Sequence, residues 1–223
     1  MAQATRASAL NQAMRKLWSD HVFWTRLYII EAVDRTPVSE RLTKIASGDV
    51  EQIGTAIGGA VELASAGDAA AIRLLRNQEE IGNAIVPYYG DAAGRKLTAI
   101  LKQHILIAVE LVAAAKAGDD AKFQKKDKEW DDNAHEIARF LSGANPNWPE
   151  RDVYDLLDQH LRLTKTEATA RLKKDWATDV KTFDDIYTEA MVIADTLAGG
   201  IVAQFPEKFG AREMAEEETE ARR

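Results

Sequence analysis

Four Gly-Asp pairs, Gly48-Asp49, Gly67-Asp68, Gly90-Asp91 and Gly118-Asp119, each stand between segments of helical composition. A glycine just past a helix end takes the left-handed conformation readily, and the aspartate after it accepts from the orphan N–H groups of the next helix. The pairs therefore read as helix–helix hinges. Thr36-Pro37 adds a start, with Thr36 as cap and Pro37 in the first turn, and Ala144-Asn145-Pro146-Asn147-Trp148-Pro149 is a break followed by a new start. This punctuation predicts helices over about 8–35, 37–47, 49–66, 68–87, 91–117, 119–142 and 149–205. Thr164-Lys165-Thr166-Glu167 has capping-box spacing, so the last segment is expected to kink or restart near Thr164. No segment reads as a strand. The expected fold is all-α, an antiparallel bundle of six to seven helices.

Apolar periodicity agrees. Leu97, Leu101, His104, Ala108 and Leu111 recur at spacings of four and three, as do Val153, Leu157, His160 and Thr164. Residues 1–206 are expected to form one domain. Residues 207–223 hold six acidic and four basic side chains with almost nothing apolar after Phe209, and read as a charged tail. Trp18, Trp24, Trp130 and Trp176 fall on helices and read as core anchors, with Trp148 stapling its turn.

Composition narrows the chemistry. The chain has no cysteine, which excludes disulfides, thiolate nucleophiles, iron–sulfur clusters and thiolate zinc sites. Any metal would need histidine nitrogen and carboxylate oxygen, and there are only four histidines. With 29 basic against 36 acidic residues and a pI near 5.2, the chain lacks the clustered positive charge that nucleic acid demands. The longest apolar run, Ile105 to Ala115, is interrupted by Glu110 and falls short of a bilayer span, so no membrane partner is expected. No secretory signal is visible at the start, and a cytoplasmic location is expected.

The scarce histidines follow a repeat. Asn77-Gln78-Glu79-Glu80-Ile81 and Asn133-Ala134-His135-Glu136-Ile137 share Asn-x-x-Glu-Ile, and 27 residues separate Asn77 from His104 and Asn133 from His160 (104 − 77 and 160 − 133). Both histidines end similar strings, Leu101-Lys102-Gln103-His104 and Leu157-Asp158-Gln159-His160. Two copies of a helical hairpin, each with Asn and Glu on its first helix and His on its second, account for this. Leu17-Trp18-Ser19-Asp20-His21 resembles the histidine strings and suggests a third copy, displaced by an inserted helical pair over 38–66. Only His135 falls outside the pattern.

With a rise of about 1.5 Å per residue, Asn, Glu and His of each hairpin lie at similar heights. Packing of the hairpins about a pseudo-twofold axis would bring together Glu80, His104, Glu136 and His160, with His21 joining them. Asn77 and Asn133 would orient these ligands, and Asp179 and Glu189 are near enough to take part. Helix bundles hold divalent iron, manganese or zinc with such inward imidazoles and carboxylates. The sharp reading is a metal-binding bundle, an iron or manganese oxidoreductase or a metal-handling protein, although the Glu-x-x-His pair of ferritin-like di-iron proteins is absent. The competing reading is a binding or assembly module, open to homo-oligomerisation, whose His/Asn layer is a satisfied polar stratum in the core. Glu167 is placed in the capping box ahead of a ligand role. No organic cofactor is evident: the glycine-rich stretch 54–60 lacks the Lys-Ser/Thr of a phosphate loop.

The strings Leu75-Arg76-Asn77-Gln78-Glu79-Glu80-Ile81-Gly82-Asn83-Ala84-Ile85, Pro87-Tyr88-Tyr89-Gly90, Asn145-Pro146-Asn147-Trp148-Pro149 and Gln204-Phe205-Pro206 resemble a family of soil-bacterial helical proteins whose activity is not established. The resemblance runs from His21 to Pro206. It implies a helical fold and a cytosolic bacterial setting, and no activity. Shorter members of that family lack the 38–66 stretch. Some carry histidine where Glu189 stands here, which keeps a ligand role open for that position.

Overall fold

A computed structural model describes residues 2–34 and 66–209. Among these residues the chain is all-α with no strand, and a helical bundle is what the punctuation required. The elements are α1 (Ala2–Asp34), α2 (Ala66–Ala117), α3 (Asp120–Ala144), α4 (Glu150–Leu172), α5 (Trp176–Gln204) and a short 3-10 turn, Pro206–Phe209. The proposed 38–66 insertion and the Gly48-Asp49 pair lie outside the described residues.

Two of the Gly-Asp pairs act as expected. Gly90, at φ 81 and ψ 169, breaks α2 into two helical halves one turn after Pro87. Gly118 takes φ 67, and the Asp119 carboxylate accepts from the Lys122 N–H at 3.0 Å, capping α3. Gly67-Asp68, by contrast, sits in the first turn of α2. Between the halves of α2, Gly82 and Gly94 permit close approach: a Cβ on Gly82 would lie 2.0 Å from Thr98 Oγ1 and 2.7 Å from the Gly94 carbonyl oxygen.

The break near Thr164 does not occur. Residues Glu150–Leu172 form one helix, and the Thr164 hydroxyl donates to the His160 carbonyl at 2.9 Å instead of capping. The chain turns ten residues later, where Lys174 takes φ 60 and Asp175 accepts from the Thr178 N–H at 3.2 Å. Aspartate at a cap satisfies an orphan donor that threonine inside an apolar stripe would have to leave the core to reach.

The helices form a closed ring of neighbours: α1 packs on α2 and α5, α2 on α3, α3 on α4, and α4 on α5. Each sends an apolar stripe inward, including Met14, Trp18 and Val22 from α1, Trp130, Ile137 and Leu141 from α3, and Ile186, Ile193 and Leu197 from α5. Trp148 is buried and its indole N–H donates to the Thr196 carbonyl at 3.2 Å, stapling the α3–α4 turn. Trp176, expected in the core, is 49% exposed beside Arg171, because it opens α5 at the end of the bundle. Phe209, expected within the charged tail, is buried and stacks on Tyr88 at 5.9 Å. α2 and α5 each contain a stretch long and apolar enough by composition to cross a bilayer; half of each stretch is buried in the bundle.

Candidate functional site

A helix dipping through a bundle presents one residue per turn to the axis, and at mid-height α1, α2 and α4 each present a histidine. His21, His104 and His160 are all buried, and they line a single cavity of about 30 Å³ together with Thr25, Trp130 and Thr164. The His21 and His160 ring centroids are 5.5 Å apart, tilted by 44°. Trp18 meets His21 edge-on at 5.5 Å and Trp130 lies 5.1 Å from His104.

Each Nδ1 has a partner from the next helical segment. His104 Nδ1 lies 2.8 Å from Asn133 Oδ1, and the Asn133 amide nitrogen donates to the Ile100 carbonyl at 3.2 Å. That second bond orients the amide, because only the nitrogen can face a carbonyl. His104 therefore carries its hydrogen on Nδ1 and keeps a lone pair on Nε2. Beside His21, the Asn77 amide donates to the Leu17 carbonyl at 3.0 Å, four residues before His21 as Ile100 is four before His104. The Gln78 amide nitrogen lies 3.1 Å from His21 Nδ1, and since it can only donate, that contact makes Nδ1 of His21 an acceptor. His160 meets a carboxylate instead: Glu189 Oε2 is 3.0 Å from its Nδ1, while Glu189 Oε1 is buried without a partner. No hydrogen bond to Nε2 of any of the three imidazoles occurs among the described residues.

Burial keeps the His104 and His21 rings neutral. His104 is pushed down to about 3, first by burial and then by His160, with the bond to Asn133 opposing. His21 is held well below the usual imidazole range by burial, then by His160 and His104, against a hydrogen bond to Asn77.

The structure thus brings together His21, His104, His160, Asn77, Asn133 and Glu189. The pairing differs from the expected hairpins: His104 is joined to Asn133 across the Gly118 turn, and not to Asn77 across Gly90. Spacing from a turn fixes height along a bundle but leaves the direction around each helix open. Glu80 and Glu136 do not join. Glu80 pairs with Arg73 at 3.2 Å and Arg76 at 3.6 Å, and Glu136 with Lys96 at 2.8 Å, both part-exposed. Each lies three residues after its asparagine, about 60° off the inward direction, which Ile81 and Ile137 take one residue later. His135 stacks on Tyr154 at 3.8 Å, away from the cavity.

Asp179 belongs to a second buried network. Arg26 grips both Asp179 oxygens at 3.0 Å and also bonds Glu167, and Arg171 joins Asp179 at 3.2 Å to Asp34 at 2.7 Å. Glu167 is therefore an ion-pair partner and not a capping residue. Its carboxyl is pushed up to about 7 by burial, with Arg26 pulling the other way and Asp179 adding to the rise. Arg26 and Arg171 were not singled out in the sequence. The one available signal was a cation, Arg26, on the apolar stripe between Val22 and Ile29.

An all-α bundle with a mid-height stratum of buried imidazoles is the class that fold and site define. Among the described residues, no three or more His, Asp or Glu side chains gather closely enough to ligate one ion as they stand. Comparison with protein-family models, curated proteins and solved structures gives no match.

Proposed function

We propose that the protein is a metal-binding helical bundle in which His21, His104 and His160 hold one divalent ion, with Glu189 orienting His160 through its Nδ1. The observation that carries this reading is that three buried imidazoles from three helices line one cavity of about 30 Å³, with an oxygen acceptor on Nδ1 of His104 and of His160 and no Nε2 engaged among the described residues. Metal-bound histidines commonly engage their other ring nitrogen with a carboxylate or carbonyl group, and that is how His160 meets Glu189 and His104 meets Asn133. Two imidazoles on one zinc-sized ion have centroids about 5 Å apart, close to the 5.5 Å between His21 and His160. His104 stands across the cavity and closes the set on binding. Three imidazole nitrogens favour zinc or iron over manganese. An ion held this way with an open position supplies Lewis-acid chemistry or, with iron, redox chemistry, consistent with an oxidoreductase or metal-handling role.

The bundle is read at the same time as three copies of a helical pair, making six helices when the halves of α2 are taken separately. Asn77, Asn133 and Glu189 recur every 56 residues (133 − 77 and 189 − 133), each followed four residues later by a buried isoleucine, Ile81, Ile137 and Ile193.

The second reading, a polar stratum that only fixes helix register, draws on the complete pairing of the Nδ1 atoms and on the lack of a ready ligand cluster. Elemental analysis of untagged protein after reconstitution with zinc, iron and manganese separates the two. One equivalent of metal, lost in both His104→Ala and His160→Ala, is expected. No stoichiometric metal, with both variants merely less stable, would leave the register reading in its place.

A further inference from the structure

One turn along the bundle from the imidazoles lies a second interior cavity, also of about 30 Å³, with no polar surface. Its wall repeats the pseudo-symmetry of the site: Trp18, Leu101 and Leu157 each precede a cavity histidine by three residues, and Ile81, Ile137 and Ile193 each follow Asn77, Asn133 or Glu189 by four. All six side chains are buried, and the cavity therefore sits on the axis on which the three helical pairs converge. Trp18 forms the partition, lining this cavity while its ring meets His21 at 5.5 Å.

The polar atoms of the lining residues Trp18 and Thr196 face away from this space, and such a cavity does not hold water stably, because a buried water needs two to four polar partners. It does take up apolar molecules that fit: a cavity of about 150 Å³ admits benzene, and this one has about a fifth of that space. The room suits a diatomic molecule or a single heavy atom.

We infer that the axial cavity between Trp18, Leu101 and Leu157 is a binding site for a small uncharged apolar gas of the size of dioxygen. The site lies next to the imidazole stratum but needs no metal to form, so it stands whether or not His21, His104 and His160 bind an ion. Should they do so, the cavity stores the gas one helical turn from the ion.

Xenon is the probe, added under pressure to metal-free full-length protein and followed by ¹²⁹Xe NMR. A saturable xenon shift is expected in the wild type. Leu157→Phe, which fills the axial cavity, should abolish it, whereas Ala168→Leu, which fills the imidazole cavity, should leave it in place. Ile137→Phe, from another helix, gives an independent filling variant, and circular dichroism establishes that each is folded. Absence of a saturable shift in the wild type overturns the proposal, as does a shift that survives in folded Leu157→Phe or Ile137→Phe or that vanishes in folded Ala168→Leu. Metal content measured on the same variants reads the imidazole proposal separately.

Discussion

His104 donates from Nδ1 to Asn133 Oδ1 at 2.8 Å, and Asn133 passes the orientation on by donating to the carbonyl of Ile100, one turn before that histidine. The amide is thus clamped between the two ends of one helical turn on the neighbouring helix. Replacing Asn133 with Leu removes both bonds and leaves a buried imidazole N–H without a partner, while the Ile100 carbonyl keeps its helical bond. Denaturation should show a loss of about 1–3 kcal/mol. Metal titration should show affinity weakened by about 10- to 100-fold if His104 is a ligand.

Glu80 and Glu136 should be dispensable for metal. Their part-exposed ion pairs with Arg73, Arg76 and Lys96 carry little stability. Glu80→Gln and Glu136→Gln should keep wild-type metal content and shift stability by less than about 1 kcal/mol, whereas Glu189→Gln should lower metal affinity. Equal metal loss in all three would contradict the ligand set.

Stability should fall on acidification below neutral pH. His21 and His104 have folded pKa values below their unfolded values, His104 reaching about 3, so the unfolded chain binds more protons and stability drops as pH falls through about 6.5. Glu167 works in the opposite direction between about 4.5 and 7, because its raised pKa makes the folded chain bind the extra proton. The two lowered imidazoles outnumber the one raised carboxyl, so together these three groups favour loss of stability as pH falls through about 6.5. Urea midpoints measured from pH 7 to 4 check this, and His104→Gln should flatten the profile.

Arg26→Met should be among the most damaging single changes. It leaves Asp179 and Glu167 buried without their shared cation, a loss of about 3–5 kcal/mol in thermal or chemical unfolding. Adding Glu167→Gln should recover part of it by removing one stranded charge.

Gly82→Ala should destabilise by about 1–3 kcal/mol, since the new methyl meets both Thr98 and the backbone of Gly94. Thr98→Ala in the same chain should relieve only the first clash, and calorimetry of the single and double variants distinguishes the two contacts.

Helical class and the height of the polar stratum were legible because both depend on spacing along the chain. Gly90 and Gly118 marked real turns, and the recurrence of Asn77, Asn133, His104 and His160 placed them at one level. Partner choice was not legible, because it depends on which way each helix faces. A three-residue step turned Glu80 and Glu136 outward while the four-residue step kept Ile81 and Ile137 inward. The Arg26 network was hidden for another reason. Its bonds to Glu167 and Asp179 join residues 141 and 153 apart, and a local pattern such as the Thr164–Glu167 capping box carries no trace of so distant a partner.

The ring of helices closes between its first and last members, through Asn11 and Arg15 on Asp195 and Arg26 on Asp179. These bonds span up to 184 residues, so during synthesis α1 must wait until α5 has been made. At about 5–20 residues per second the apolar stripe of α1 stays without its final partner for about 10–40 s, the interval in which a chaperone would hold it.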